Sequence, residues 1–225
     1  MVKATLHINK LSAAKRQLQA AIRMYFLPED ELAVQTVAAA AYGLLKDIKK
    51  SRGKSEAADT YLVSVFYLVR DFHRGTLPER MTQDSDIMAE LKSLAEQLSP
   101  ITAESKLNDV QVSIGPDLER RYWSDTNRAV NFLKHADRDI EQTLPLDSIN
   151  NMLLLGKAVS AYQDVASDDL GSEGLVFAAF LMASNEPNQM GDSSFESLVT
   201  SMREAPEEAR KELSYELILK MNKSE

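Results

Sequence analysis

Leu175-Val-Phe-Ala-Ala-Phe-Leu-Met-Ala183 is the longest apolar run in the chain, and its reading decides the fold. A helix that crosses a bilayer needs about 20 apolar residues. LVFAAFLMA is too short, so it reads as a buried helix, opened after Ser172 and ended by the NEPN stretch at 185–188. The sequence on either side supplies more helices and almost no strands. On the C-terminal side, Phe195, Leu198, Val199 and Met202 recur at helical spacing after Asp192. A last helix is expected from Pro206, with Glu207 and Glu208 in its first turn and Lys220 and Lys223 at its end, the order the helix dipole favours.

On the N-terminal side, Met152, Leu155, Val159 and Tyr162 are in phase after Asp147. Pro116 suits the first position of a helix that runs through Trp123 toward His135. Ile87, Leu91, Leu94 and Leu98 form a shorter amphipathic helix stopped by Pro100. YLVSVFYLV, residues 61–69, is apolar nearly all round and is expected at the centre of the fold. Val34, Val37, Ala38, Ala41, Leu45 and Ile48 share one face of a helix capped by Asp30 and closed by Lys46, Lys49 and Lys50 before Gly53. Leu11, Leu18, Ile22, Tyr25 and Phe26 form a first stripe ended by Pro28. Val110, Val112 and Ile114 alternate, but a lone strand needs a partner, so this stretch is expected to be loop. The fold class is all-α, a multi-helix bundle of about eight or nine helices with little or no sheet. Residues 1–190 are expected to form the main bundle and 191–225 a helical hairpin packed on it, a single domain being the alternative. No stretch reads as a clear linker; DDLGSEG, 168–174, is the best candidate for a joint and NEPNQMGDSS, 185–194, the second.

Bulk properties narrow the function. A chain of 225 residues buries a full core. With no cysteine it has no disulfide, thiolate nucleophile or Cys-based zinc site, which fits a cytoplasmic setting. MVKATLHINK carries no secretory signal, and no membrane partner is expected. A net charge of −8 gives no long-range attraction to DNA, and no DNA partner is expected. Gly53-Lys54-Ser55 resembles the end of a phosphate loop, but the required upstream glycine position holds Ile48 and no strand precedes it. His7 has no ligand partner nearby, His73 falls on an apolar face near a helix C-terminus where an imidazolium meets free carbonyls, and no paired ExxH or ExxE motifs mark a carboxylate metal site. No metal or cofactor is expected.

One stretch concentrates chemistry: RAVNFLKHADRD, residues 128–139. On a helix, Leu118, Tyr122, Ala129, Leu133 and Ala136 form a core-facing stripe. Arg128, Asn131 and His135, at i, i+3 and i+7, form a second ridge roughly 130° away. Asp137 or Asp139 then turns back to orient the imidazole. An imidazole of pKa about 6.5 exchanges protons at neutral pH. A guanidinium binds phosphate in a bidentate manner and stabilises added charge. These three groups suit metal-free cleavage of RNA by its own 2′-hydroxyl, with a symmetric dimer supplying the second acid–base group. The same residues also suit an ordinary solvated helix face.

The spacing of Arg128 and His135 resembles the R-x4-6-H motif of HEPN-domain proteins. Those are all-α bundles, many of them dimeric metal-independent ribonucleases of toxin–antitoxin and phage-defence systems. The family usually has a polar residue after the arginine, where this chain has Ala129 and places its amide at Asn131. The order KLSAAKRQLQAAI, AVQTVAAAAYGLLKDI, NFLKHADRD is similar to a group of bacterial proteins that share an NF-[FL]-KHAD core and have no established activity. That resemblance shifts attention to Asn131, Lys134, His135 and Asp137, as structural or recognition residues.

Two functions follow. The first is a non-catalytic protein-interaction or self-associating module, with a protein partner or a homodimer and with nine methionines among its apolar faces. The alternative is a HEPN-like ribonuclease or RNA-binding protein using Arg128, Asn131 and His135, with KKSRGK, 49–54, adding phosphate contacts.

Overall fold

A computed structural model describes residues 7–53, 58–98, 100–106, 116–135, 137, 140–183 and 193–223. In chain order the α-helices are α1 (Lys10–Phe26), α2 (Glu31–Ser51), α3 (Ala58–Arg74), the single turn α4 (Glu79–Thr82), α5 (Ser85–Gln97), α6 (Pro116–Lys134), α7 (Asn151–Val165), α8 (Ser172–Ala183), α9 (Ser193–Glu204) and α10 (Arg210–Asn222). Among the described residues there is no strand, so the protein is all-α. No described helix is long and apolar enough to cross a membrane. The alternating stretch at 110–114 and most of the joint at 185–194 lie outside the described residues.

The chain divides into two compact units. The first comprises residues 1–54 and 128–225, the second residues 55–127. α9 and α10 fall in the first unit. Both pack against α8, and α10 also packs against α1. Val199, Met202 and Ile218 are buried in the same core as Leu18, Ile22 and Phe177.

In the first unit, α1 is the central helix, packed on α2, α7, α8 and α10, and α2 packs in turn on α7. Small residues make this close packing feasible: Ala38 and Ala41 are fully buried, as are Ala14 and Ala21 on α1. Asp30 caps α2, its carboxylate accepting from Leu32 N at 2.8 Å and Ala33 N at 3.3 Å. Gly53 follows the helix at φ 68°, a left-handed conformation that side chains resist. α8 buries Val176, Phe177, Ala179, Phe180 and Ala183, while Leu175 and Met182 stay exposed. Tyr25 and Phe26 at the end of α1 meet Phe177 and Phe180 edge-on or tilted, with centroids 5.2 to 6.2 Å apart, the arrangement that opposes positive ring edges to negative ring faces.

Two helix starts differ from the sequence reading. α7 begins at Asn151, because Asn150 and not Asp147 caps it: Asn150 Oδ1 accepts from Leu153 N at 2.9 Å. Asp147 sits in a 3₁₀ turn, Leu146–Ser148. Pro206 likewise opens a 3₁₀ turn, Glu207–Ala209, before α10.

The second unit has its own smaller core. Val65, Phe66 and Val69 of α3 meet Ala95 and Leu98 at the α5 end, with Ile101 beyond. The described buried apolar residues of α3 therefore belong to this unit's core. Tyr67 of the same helix is exposed, with the Arg70 guanidinium 4.6 Å from the ring centroid.

Candidate functional site

The ridge on α6 comes first. Pro116 opens the helix, where its missing N–H removes no helical bond, and the helix runs unbroken to Lys134. His135 lies just past it, its N–H still donating to Asn131 O at 3.0 Å. Ala129 is buried, Phe132 and Leu133 are half-buried, and Arg128, Asn131 and Lys134 are exposed. The side chains of Leu118 and Tyr122, and residues Ala136 and Asp139, lie outside the described ones. The His135 side chain is 37% exposed, and its Nδ1 is 3.8 Å from Asp137 Oδ1. That is too long for a hydrogen bond, and it is an ion pair only when the imidazole is protonated. Asp137 is 81% exposed and so constrains the ring weakly. Seven residues at 1.5 Å rise put Arg128 and His135 about 10 Å apart along the axis. The ridge thus carries a guanidinium and an imidazole about two turns apart.

Two members of the basic cluster at 49–54 are engaged with α7. Lys49 Nζ donates to Asp164 Oδ2 at 2.6 Å, and the Arg52 guanidinium donates to Val165 O. The Arg52 bond satisfies a carbonyl at the C-terminal end of α7, where carbonyls lack helical partners, and Lys49 pairs with a side chain of the same last turn. Lys54 lies outside the described residues. Among the described residues no three His, Asp or Glu side chains gather as metal ligands would.

The expected joint at 168–174 is a pinned corner between α7 and α8. Lys15, Gln19 and Arg23 recur every four residues on α1 and meet it together. Lys15 Nζ donates to Asp168 Oδ2 at 2.6 Å, and Tyr162 Oη donates to Asp168 Oδ1 at 2.8 Å. The bond from Lys15, with that from Tyr162, holds the Asp168 carboxyl below its ordinary range. Burial, reinforced by the bond to Asp168, pushes the Tyr162 phenol up. Gln19 Nε2 donates to Leu170 O at 2.9 Å. Glu173 is 3% exposed and accepts from the Arg23 guanidinium, from Ser172 Oγ at 3.2 Å, and at longer range from Gln19 and Asn222. A buried carboxylate is tolerated only when paired in this way.

The first unit also carries a groove. Its walls are the α1–α2 turn, the start of α7 and one face of α10, and it encloses about 1020 Å³. Met24, Leu27, Pro28, Ile149, Met152 and Leu219 give it an apolar lining. Glu29, Glu31, Glu208, Glu212 and Glu216 also line it, all exposed. Among the described residues none of these five makes an ion pair. Burial first, and then the Glu31 charge, raise the Tyr25 phenol above its ordinary value. Lys211 Nζ sits 4.2 Å from the Tyr25 ring centroid, so the groove already holds one cation on an aromatic face. Asn151 is 7% exposed; its Nδ2 donates to Glu31 O at 3.0 Å and its Oδ1 is buried with no partner.

Sequence reasoning missed the corner and the groove. The Lys15, Gln19, Arg23 stripe was a visible signal for the first. The groove had none, since its acids come from α1–α2 and α10 and are neighbours only in the fold. Comparison with protein-family models, with curated proteins and with solved structures finds no match.

Proposed function

We propose that this chain is a non-catalytic protein-interaction module that receives its partner in the groove between the α1–α2 turn, α7 and α10. One observation carries the reading: five carboxylates without ion pairs border an apolar-lined cavity of about 1020 Å³. Exposed apolar side chains such as Met152 and Leu219 favour burial by a partner. Polar residues around an apolar centre are the usual anatomy of a protein interface. The test is affinity purification with the parent chain, a Glu212→Lys/Glu216→Lys variant and His135→Ala. A partner retained by the parent and by His135→Ala, and lost by the double variant, supports this reading.

A second reading keeps the HEPN-like ribonuclease or RNA-binding protein. What favours it is the exposed Arg128 and Asn131 on α6, with the partly open ring of His135 just past the helix end. Incubating mixed RNA with parent and His135→Ala in chelator separates the two. Intact RNA in both is expected. Cleavage by the parent alone would replace the interaction module with an enzyme.

A further inference from the structure

We infer that the occupant of the groove is a basic amphipathic helical segment of another protein. The inference rests on the reading of the groove as a docking site and adds the chemistry of what docks. Charge comes first. Lys211 and the helix N-termini of α2 and α7 place positive charge at the groove, the latter about half an elementary charge each. Against five carboxylates this leaves a surplus of about three negative charges. Like charges crowded in this way favour a cationic ligand over an anionic or neutral one.

The position of Lys211 over Tyr25 shows that an ammonium group is accommodated on this wall.

Shape selects a helix. Glu208, Lys211, Glu212, Tyr215, Glu216 and Leu219 follow the 3–4 spacing of one helix face. From Lys211 to Leu219 that face extends about 12 Å, room for two turns of a partner helix with its apolar side on Met152 and Leu219. A second copy of this chain is disfavoured as occupant, because it brings the same net charge of −8.

The test uses the full chain and three designed helical peptides of about 14 residues with one shared Leu/Ala face. Their polar faces carry Lys, Gln or Glu. Titration calorimetry is expected to show binding of the Lys peptide, at least tenfold weaker binding of the Gln peptide, and none of the Glu peptide. Glu212→Gln/Glu216→Gln should weaken the Lys peptide at least tenfold, with an unchanged thermal melt showing that the variant folds. Leu219→Ser should weaken the Lys peptide and leave spermine binding untouched. Equal affinity for the Lys and Gln peptides overturns the basic partner and leaves the docking site standing. Spermine binding as tightly as the Lys peptide overturns the peptide in favour of a small cation. If no peptide binds while the parent retains a partner in the affinity experiment, this inference fails alone.

Discussion

Gly43 and Gly174 both lie within helices but face different surroundings. A Cβ at Gly43 would meet nothing within 4 Å, whereas at Gly174 it would lie 2.5 Å from Leu170 Cβ. Alanine is the better helix former by about 1 kcal/mol. Gly43→Ala is therefore expected to stabilise the fold by up to about 1 kcal/mol, and Gly174→Ala to destabilise it by about 1–3 kcal/mol despite the propensity gain. Urea denaturation midpoints measure both. Asp168 and Tyr162 set opposite ends of the pH range. The depressed Asp168 carboxyl contributes stability above the ordinary carboxylate pKa of about 3.9, and that stability is lost as pH falls through the lower folded value. The raised Tyr162 phenol contributes stability below about pH 10, lost as pH rises through its folded value. Stability measured against pH should show a shallower acid slope in Asp168→Asn and a shallower alkaline slope in Tyr162→Phe. This pair was not legible in the sequence. DDLGSEG has the composition of a joint, and only the arrival of Lys15, some 150 positions earlier, converts it into a fixed corner.

At the level of elements, the apolar spacing carried most of the fold, because burial on one side of a helix leaves a 3–4 residue signature wherever it occurs. Leu18, Ile22 and Phe26 on α1, and Val34, Ala38, Ala41 and Leu45 on α2, were expected inside and are buried. Caps were legible where one residue competed alone, as at Asp30, and not where Asp147 and Asn150 both offered an oxygen. Removing the α2 cap with Asp30→Ala should cost about 1 kcal/mol, and a calorimetric melt checks this. A value near zero would mean that packing of α2 between α1 and α7 fixes its first turn unaided. The groove was illegible for a different reason: helical periodicity tells which residues are covered, not which exposed ones from separate helices become neighbours.

For the whole molecule, the two units imply unequal resistance to opening. The larger core draws on six helices, α1, α2 and α7–α10, and the smaller on α3 and α5 with Ile101. Amides of α3 and α5 should thus exchange hydrogen faster than those of α1, α2 and α7. Phe66→Ala, a loss of about 3–5 kcal/mol in a core, should accelerate exchange across 65–101 and leave 14–45 as in the parent, followed by mass spectrometry of peptic fragments. The first unit is also assembled from two stretches of chain separated by residues 55–127. During translation α1 and α2 leave the ribosome long before α7, α8 and α10 exist to cover them. Until Ile218 has been synthesised, the apolar side of α1 lacks part of its cover, and mutual shielding by α1 and α2 is what the nascent chain has against aggregation.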